Sequence, residues 1–350
     1  MTSATSTGNA FTVTAQPSGR SFGVQDGEAI LAAAIRQGIG LPYGCKDGAC
    51  GSCKCRMLDG RVVHGPHQTK ALSEEEEAAG FILPCCAVPQ ADIVVESRNV
   101  TDESAFPVRK MPSRVSSLEK VSHDVMLLKL QLPANDTLRY HAGQYVEFIL
   151  RDGARRSYSM ANAPHNGPGV ELHIRHMPGG KFTDHVFTAM KEKEILRVEG
   201  PFGSFYLRED SDKPMVLLAS GTGFAPIKAL VEHMQMKGIA RPATLYWGGR
   251  RPSDLYMDAW VRERAAEMPN LTYVPVVSNA LPEDNWTGRT GFVHKAVMED
   301  FPDLSGYQVY ACGAPIVVDS ARDEYSAACK LPPDEFYADS FTTEADKHRA

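Results

Sequence analysis

The sequence predicts a multidomain α+β and α/β protein with a small mixed domain, an antiparallel β-barrel and a parallel α/β domain. Three observations predict it. The chain has 350 residues, more than one hydrophobic core usually supports. A cysteine-rich loop lies among short strand-like segments, and from about Lys213 strand-like and helix-like runs alternate. We place the domains at residues 11–98, 113–212 and 213–350, with a disordered start at 1–10 and a linker at 99–112.

Four cysteines of the first domain have the spacing of a plant-type 2Fe-2S cluster. In GCKDGACGSCKC, four residues separate Cys45 from Cys50 and two separate Cys50 from Cys53, and ILPCCA supplies a remote Cys85. The interleaved glycines allow tight turns that bring N–H groups close to sulfur. Buried thiols or structural zinc are the alternatives, but zinc sites usually group their cysteines in two close pairs. The pattern therefore predicts a centre that carries one electron at a time.

Cys55, Cys86 and Cys329 lie outside the four-cysteine pattern. Cys86 follows Cys85 directly, so the residues alone leave the fourth ligand open between these two. Cys55 begins a strand-like segment and Cys329 ends a helix-like one. We expect both to be small buried hydrophobic side chains.

The segments around the cysteine loop predict a small sheet crossed by one helix. FTVTA and SFGV predict two strands joined by a turn, and CRMLDGRVV predicts a hairpin that turns at Asp59 and Gly60. Asp26 is expected to cap a short helix that ends at Gly38. ADIVVES supplies the closing strand.

Composition and charge exclude several classes of protein. With 43% hydrophobic and 23% charged residues and a formal net charge of -6, the chain is ordinary and mildly acidic, and no basic stripe indicates nucleic-acid binding. Ser73 and Glu76 form a capping box, so the acidic run Glu74–Glu77 predicts a solvated helix start. The sequence has no membrane-spanning run and no secretory signal, and its eight cysteines are too sparse for a disulfide scaffold. We expect a soluble, cytoplasmic monomer that contacts no membrane.

The second domain contains strand-like segments and two motifs that suit a flavin. RVSSLEKVSHDVMLLKLQLP, GQYVEFIL and ELHIRHM predict strands of an antiparallel barrel. The RSYS segment offers Arg156 for a phosphate, Tyr158 for a ring face and Ser159 for a reactive edge. PGGKFTDHV then opens a helix whose N-terminal N–H groups suit a pyrophosphate. Taken alone, Gly179 and Gly180 could equally form a plain turn.

The third domain predicts a parallel sheet with a nucleotide site. MVLLAS is a short apolar run typical of a strand buried on both faces, and ATLYWGG, LTYVPVVS and YQVYACG predict its neighbours. Gly221–Pro226 follow the first strand and open a helix, which favours a phosphate site, although a strand-to-helix turn also needs glycine. Cys312 ends a later strand, where it either packs or touches a nicotinamide ring.

The order of the cysteine loop, RSYS, HIRHMPGGKF, SGTGFAPIK, YWGGR and YACGAP resembles the ferredoxin-NADP reductase superfamily with an N-terminal ferredoxin domain. The resemblance covers residues 11–341. Within the superfamily the chain is similar to reductase components of aromatic-ring dioxygenases, including the terephthalate type, and to CDP-6-deoxy-glucoseen reductases. It implies a β-grasp ferredoxin domain, an FAD-binding barrel and an NAD(P)H-binding domain, with Cys85 as the fourth ligand.

The resemblance also implies roles for matching residues. FAD, rather than FMN, follows from the N-terminal position of the ferredoxin domain. The implied FAD-binding residues are Arg156, Tyr158, Ser159, His173, Ile174 and Arg175, with Gly180, Lys181, Phe182 and Thr183 at the pyrophosphate. The implied nucleotide-binding residues are Gly221, Thr222, Gly223, Phe224, Pro226, Arg250, Cys312, Gly313 and Pro315. The residues implied at the reacting rings are Tyr158, Ser159, Cys312 and Phe341.

The function implied is electron transfer from NAD(P)H through FAD to the cluster, and on to a terminal oxygenase component that docks transiently on the ferredoxin domain, as in aromatic hydrocarbon catabolism. A flavin is needed because a hydride carries two electrons and the cluster accepts one. The alternatives are a CDP-6-deoxy-glucoseen-type reductase in deoxysugar synthesis and a general ferredoxin or flavin reductase; GTGFAP and RSYS disfavour a binding module without catalysis. Arg250 and Arg251 leave NADH or NADPH open, with family habit favouring NADH.

Overall fold

The computed structural model describes residues 10–134, 138–167 and 169–343. The chain divides into two compact units, one built on the N-terminal domain as far as Pro107 and the other spanning Val108–Phe341. Apart from Ala10, the segment expected to be disordered lies outside the described residues. Among the described residues, no helix is both long enough and apolar enough to cross a bilayer. The domain limits drawn from the sequence stay predictions.

The N-terminal unit contains a mixed five-stranded sheet and a short helix whose apolar side is buried, the arrangement of a β-grasp fold. Its elements are β1 Phe11–Pro17, β2 Arg20–Val24, α1 Ile30–Arg36, β3 Ile39–Gly40, β4 Cys55–Asp59, β5 Val62–His64, α2 Glu74–Ala78, β6 Phe81–Ile82, β7 Ala87–Pro89, β8 Ile93–Ser97 and β9 Thr101–Asp102. The strand order is β2-β1-β8-β4-β6, with β1 and β8 parallel and the other pairs antiparallel. The predicted capping box of α2 is confirmed.

The start of α1 differs from the prediction. The residue before the helix is Ala29, and no side chain caps it, so the expectation that Asp26 caps the helix is wrong. Gly27 has a φ of +70°, which turns the chain after Asp26 and delays the helix. The carboxylate near the helix start is Glu28, which accepts hydrogen bonds from the Gln25 N–H and the Arg36 side chain.

The predicted hairpin at Asp59 and Gly60 is also wrong. The turn exists, but β4 pairs with β8 and β6, whereas β5 pairs with β7 in a separate two-stranded sheet. A Cβ on Gly60, whose φ is +101°, would lie 2.3 Å from the carbonyl oxygen of Asp92. The chain therefore passes tightly against the segment leading into β8 and leaves the main sheet.

The second domain is a six-stranded antiparallel sheet, as predicted for the barrel. Its elements are β10 Arg109–Lys120, β11 Val125–Gln131, β12 Tyr145–Ile149, β13 Arg155–Ser159, β14 Gly169–Arg175, α3 Lys181–Thr188 and β15 Ile195–Phe202. The order is β13-β12-β15-β10-β11-β14, and a bridge between Met160 and Leu172 joins its two edges. Leu172 and Phe148 are fully buried within its core.

The third domain is a six-stranded parallel sheet covered on both faces, as predicted. Its elements are β16 Met215–Ser220, α4 Phe224–Lys237, β17 Ala243–Gly249, α5 Asp258–Glu267, β18 Leu271–Val277, β19 Arg289–Thr290, α6 Val293–Asp300, β20 Gln308–Gly313, α7 Pro315–Ala328 and β21 Phe336–Ser340. The order is β19-β18-β17-β16-β20-β21. Leu217 packs with α4 on one face and Val216 packs with α6 and α7 on the other. Burial of successive side chains on opposite faces explains the unbroken apolar run of β16.

Candidate functional site

The cysteine loop between Gly44 and Cys53 has backbone N–H groups directed at sulfur. The N–H groups of Cys45 and Ser52 donate to Cys50 Sγ at 3.4 Å and 3.5 Å. Cys50 and Cys53 are buried, whereas Cys45 and Cys85 are partly exposed. Amide hydrogen bonds to sulfur are the interactions that tune an iron-sulfur cluster, so the loop fits such a group.

The four thiols lie as two contacting pairs, Cys45 with Cys50 and Cys53 with Cys85. Within the described part of the chain, no three Cys, His, Asp or Glu side chains are grouped so that they could hold a metal ion. Four thiolates shared between two irons need not converge on one point. The hydrogen bond from Cys45, opposed by burial, lowers the pKa of Cys50 below its usual value.

The segment before Cys85 is anchored by a neighbouring strand and helix. His64, at the end of β5, accepts the Leu83 N–H on Nε2 at 3.3 Å, and its Nδ1 lies 2.8 Å from a Glu77 carboxylate oxygen in α2. The Cys86 thiol donates to the Leu83 carbonyl at 3.7 Å. This sulfur therefore has a backbone partner, whereas Cys85 contacts Cys53.

Cys55 and Cys329 are the two cysteines predicted to be small buried hydrophobic side chains. Cys329 is 2% exposed and lies in the core beside α7. Cys55 begins β4 and is partly exposed, so the expectation that its side chain is buried is wrong, although local burial raises the pKa of its thiol to about 12. Both side chains are thus neutral apolar groups at physiological pH.

The RSYS segment forms β13 with its side chains alternating. Tyr158 packs its ring against Phe148 and Phe182, with centroid distances of 5.9 Å and 5.4 Å. Arg156 is half-buried and donates to the Arg155 carbonyl at 2.7 Å. A tyrosine ring and a guanidinium group therefore lie at the edge of the barrel. These are the groups expected to contact a flavin ring and a phosphate.

The start of α3 presents backbone donors rather than side chains. Phe182 is buried in the barrel core, and the Thr183 hydroxyl donates back to the Met177 carbonyl at 2.9 Å. Lys181 is exposed and bound to Asp152. The first-turn N–H groups of a helix lack partners within the helix, so these groups and the Lys181 charge fit a pyrophosphate.

Ser159 is bound to a residue that sequence reasoning missed. Its hydroxyl donates to Asp339 Oδ2 at 2.9 Å, and both side chains are buried. Asp339 in β21 lies opposite Cys312 in β20, and the Phe341 N–H donates to the Gly313 carbonyl at 2.8 Å. The structure therefore brings these elements from two domains together. Burial raises the pKa of Cys312, so it remains a thiol.

The loops after β16 and β20 touch through their backbones. A Cβ on Gly223 would lie 2.2 Å from the Cys312 carbonyl oxygen, and one on Gly313, whose φ is +127°, would lie 2.3 Å from that of Ser220. The Ala314 N–H also donates to Ser220 Oγ at 2.9 Å. Only glycine permits this approach.

A cavity of about 280 Å³ opens at the carboxyl ends of the parallel strands. Its lining includes four glycines, among them Gly221 beside Thr222, and Phe292 and Ile316, which are 66% and 75% exposed. Large apolar side chains left exposed beside a cavity suit the flat face of a base. This position is where nucleotides bind on such sheets, so the residues fit the predicted group.

The three residues of HIR face in different directions. Ile174 is fully buried in the barrel core. His173 is buried on the opposite face, with Nδ1 2.8 Å from the Tyr256 hydroxyl and Nε2 3.2 Å from Glu171, and burial lowers its pKa. Arg175 lines the cavity and binds Asp124 at 2.9 Å. His173 thus has protein partners on both nitrogens.

Three family models match consecutive parts of the chain. They describe a 2Fe-2S iron-sulfur cluster binding domain at residues 13–90, an oxidoreductase FAD-binding domain at 112–206 and an oxidoreductase NAD-binding domain at 217–323. The CDP-6-deoxy-L-threo-D-glycero-4-hexulose-3-dehydrase reductase of Yersinia pseudotuberculosis is 41% identical over 93% of this chain and 96% of its own length. The chain belongs to the family of iron-sulfur flavoprotein reductases.

Other reductases of this family are similar along their whole length. Reductase component 2 of a Comamonas terephthalate 1,2-dioxygenase is 35% identical over 93% of this chain and 96% of its own. The crystal structure of an Amycolatopsis cytochrome P450 reductase matches with a TM-score of 0.78 and 34% identity, covering 95% of this chain and 99% of that one. The predicted fold, family and cofactors, a 2Fe-2S cluster, FAD and NAD(H), are confirmed.

Sequence reasoning missed several residues of the reductase site. Asp339 lies two positions before Phe341, but nothing local connects it to Ser159, 180 residues away. Tyr256 follows a short turn and belongs to no recognisable sequence motif. Lys228 was a detectable signal, since it is a lone charge within the apolar stretch FAPIKALV, and it is only 4% exposed.

We expect Ser159 and Asp339 to act as one unit. Replacing either by alanine removes the hydrogen bond that orients the Ser159 hydroxyl, and we expect the rate of flavin reduction by NADH to fall by about tenfold, equivalent to about 1.4 kcal/mol. Anaerobic stopped-flow absorbance measures this rate. In a double-mutant cycle, Ser159→Ala/Asp339→Ala should cost little more than the larger single change.

Ser116→Ala is the matched control, because Ser116 is exposed on β10 of the same barrel. Fully additive losses in the double variant would show that the two residues act separately and would contradict the expectation.

Proposed function

We propose that this reductase passes electrons from NADH through FAD to its 2Fe-2S cluster and then to the terminal oxygenase component of an aromatic-ring hydroxylating dioxygenase or monooxygenase. When bound, the three groups supply hydride donation, conversion of a two-electron into a one-electron flow, and single-electron transfer. The observation that carries the proposal is the grouping of Ser159, Asp339 and Cys312 where the flavin-type and nucleotide-type loops meet.

Each group has residues in the chain that suit it. For FAD these are Arg156, Tyr158 and the first turn of α3, which combine positive charge with an aromatic face. For the nucleotide they are the loops after β16 and β20, whose glycines allow close approach to a ligand backbone. Ser159 would orient its hydroxyl towards the reacting rings, and the buried, protonated Cys312 would shape the ring pocket and exclude water.

The cavity favours NADH over NADPH. Its charged side chains are Asp124, Arg175, Arg250 and Asp254, two of each sign. Arg250 is bound to Asp254 at 3.4 Å, and Asp254 also accepts the Arg250 N–H at 2.9 Å. A carboxylate after this strand suits a ribose 2'-hydroxyl and repels a 2'-phosphate. Arg251 is held by Asp284 at 2.6 Å.

Removing the carboxylate should relax this preference. We expect Asp254→Ser to lower kcat/KM for NADH and raise it for NADPH, changing the ratio at least tenfold, because the repulsion of the 2'-phosphate is lost and Arg250 is released. Steady-state rates with both nucleotides measure the ratio.

Asp258→Asn is the control, since Asp258 lies in α5 and binds Arg262 rather than lining the cavity. An unchanged ratio in Asp254→Ser would exclude this carboxylate as the source of discrimination.

Whole-length similarity to reductases of oxygenase systems supports the oxygenase acceptor. These relatives include the terephthalate dioxygenase component and the reductase component of a Pseudomonas phenol 2-monooxygenase, which is 33% identical over 96% of this chain. We propose that the acceptor docks transiently on the N-terminal unit, because the cluster cysteines belong to it.

Reduction of a CDP-hexulose dehydrase is the second candidate. The 41% identity to the Yersinia reductase favours it over a general ferredoxin or flavin reductase. Cys50→Ser provides the control for both candidates, since it removes a cluster ligand while leaving the second unit intact.

Mixing experiments distinguish the two acceptors. The NADH-reduced protein is mixed anaerobically with a purified terephthalate oxygenase component or a CDP-6-deoxy-hexulose dehydrase, and loss of the reduced-cluster EPR signal is followed. We expect rapid loss of this signal with the oxygenase. In Cys50→Ser, which lacks the cluster, the flavin absorbance is followed instead, and we expect no reoxidation by either acceptor. Reoxidation by the dehydrase alone would overturn the oxygenase proposal.

Cys85 is the proposed fourth ligand because it contacts Cys53, whereas the Cys86 thiol contacts Cys85 and the Leu83 carbonyl. We expect Cys86→Ser to keep the cluster and Cys85→Ser to lose most of it. Iron and acid-labile sulfide analysis with EPR of the reduced protein measures this. Each variant is the matched control of the other, and the reverse result would assign Cys86.

A cytoplasmic location and a monomeric state stay predictions. None of the eight cysteines, all of which lie within the described residues, is in a disulfide bond, which supports a reducing compartment.

A further inference from the structure

The outer face of β14 carries a row of polar side chains that meets the third domain. Val170, Leu172 and Ile174 fill the barrel core, so the alternate residues Glu171, His173 and Arg175 point the other way. Glu171 lies 3.1 Å from Lys228 Nζ, and His173 lies 2.8 Å from the Tyr256 hydroxyl. One strand of the flavin barrel therefore anchors the nucleotide domain.

Lys228 is the centre of this contact. It is 4% exposed, and its Nζ lies 3.1 Å from Glu171, 2.5 Å from Glu232 and 3.1 Å from the Ala161 carbonyl. These contacts match the three donors of an ammonium group. Burial alone would raise the pKa of Glu171, but the His173 hydrogen bond and the Lys228 charge lower it to about 2. Lys228 is thus a fully engaged buried cation.

The same helix face holds the chain directly after the flavin motif. Glu232, one turn beyond Lys228, accepts the Ala163 N–H at 2.9 Å and the Asn166 side-chain amide at 2.6 Å. The Ala161 and Ala163 backbone groups lie two and four residues beyond Ser159. Helix α4 begins immediately after the Gly221–Gly223 turn. Two side chains of one helix thus connect the flavin strand to the nucleotide loop.

We propose that Lys228, with Glu232, is a positioning residue for hydride transfer: it fixes the distance between the flavin-binding strand and the nucleotide-binding loop. Replacing a buried ion pair by apolar groups is often neutral for stability, so stability alone does not account for such a cluster. Hydride transfer is sensitive to placement, since a displacement of about 1 Å can cost about 100-fold in rate. The inference rests on the proposed electron path from NADH to FAD.

The test is the variant Lys228→Met/Glu232→Gln, which removes the cation and one of its carboxylates together. We expect the anaerobic rate of flavin reduction by NADH to fall at least tenfold and its primary deuterium isotope effect to rise. Hydrogen exchange of the amides in residues 160–166 should accelerate. The Kd for NAD⁺, measured by calorimetry, should change less than threefold, because no cavity residue is altered.

Lys237→Met is the matched control, because Lys237 is an exposed lysine in the last turn of the same helix. Lys228→Arg retains the charge and provides a second variant if the first does not fold; its planar head cannot reproduce the three contacts, so we expect slower reduction with FAD retained. Unchanged reduction rates and isotope effects, with only a lower Tm, would overturn the inference. Failure of the wild-type flavin to be reduced by NADH would instead overturn the proposed function.

Discussion

The second compact unit depends on the register of β14, because this strand contributes side chains to different contacts on its two faces. Its even-numbered positions close the barrel core, and its odd-numbered positions hold Lys228, Tyr256 and the cavity wall. A one-residue slip in its pairing with β11 would exchange these faces, placing charged groups in the barrel and the apolar side chains of Val170, Leu172 and Ile174 on the outer face. Register in this strand therefore decides both the flavin domain and its attachment to the nucleotide domain.

Features that depend on local chain preferences could be predicted from the sequence. The apolar run of β16 and the capping box of Ser73 and Glu76 depend on neighbouring residues, and both are present in the structure. The failed hairpin at Asp59 and Gly60 shows the limit. Its turn is local, but the choice of partner for β4 depends on β8, more than 30 positions further along the chain. Pairing over such separations leaves no signal in a turn motif.

The residues of the candidate site also divide into those that could be predicted from the sequence and those that could not. Glycine positions such as Gly223 and Gly313 could be identified from the sequence. A side chain there would clash with the neighbouring backbone, so the site needs glycine and the sequence shows it. The side-chain partners were not, since the bond from Ser159 to Asp339 joins different domains. HIR was assigned as one cofactor-binding stretch, whereas alternation along a strand sends Ile174 into the core and its neighbours outwards. A motif in a strand fixes the positions of its residues but not which of two environments each side chain enters.

The division of the chain near Pro107 has an evolutionary consequence. The cysteine loop and the paired nucleotide and flavin loops belong to units with separate hydrophobic interiors, so a substitution that reshapes one interior leaves the packing of the other unchanged. Selection can then alter the surface around the cluster to suit a new recipient without retuning the Ser159 and Asp339 pair. Such independence is consistent with one three-domain plan serving relatives named for a sugar dehydrase, a dioxygenase and a monooxygenase.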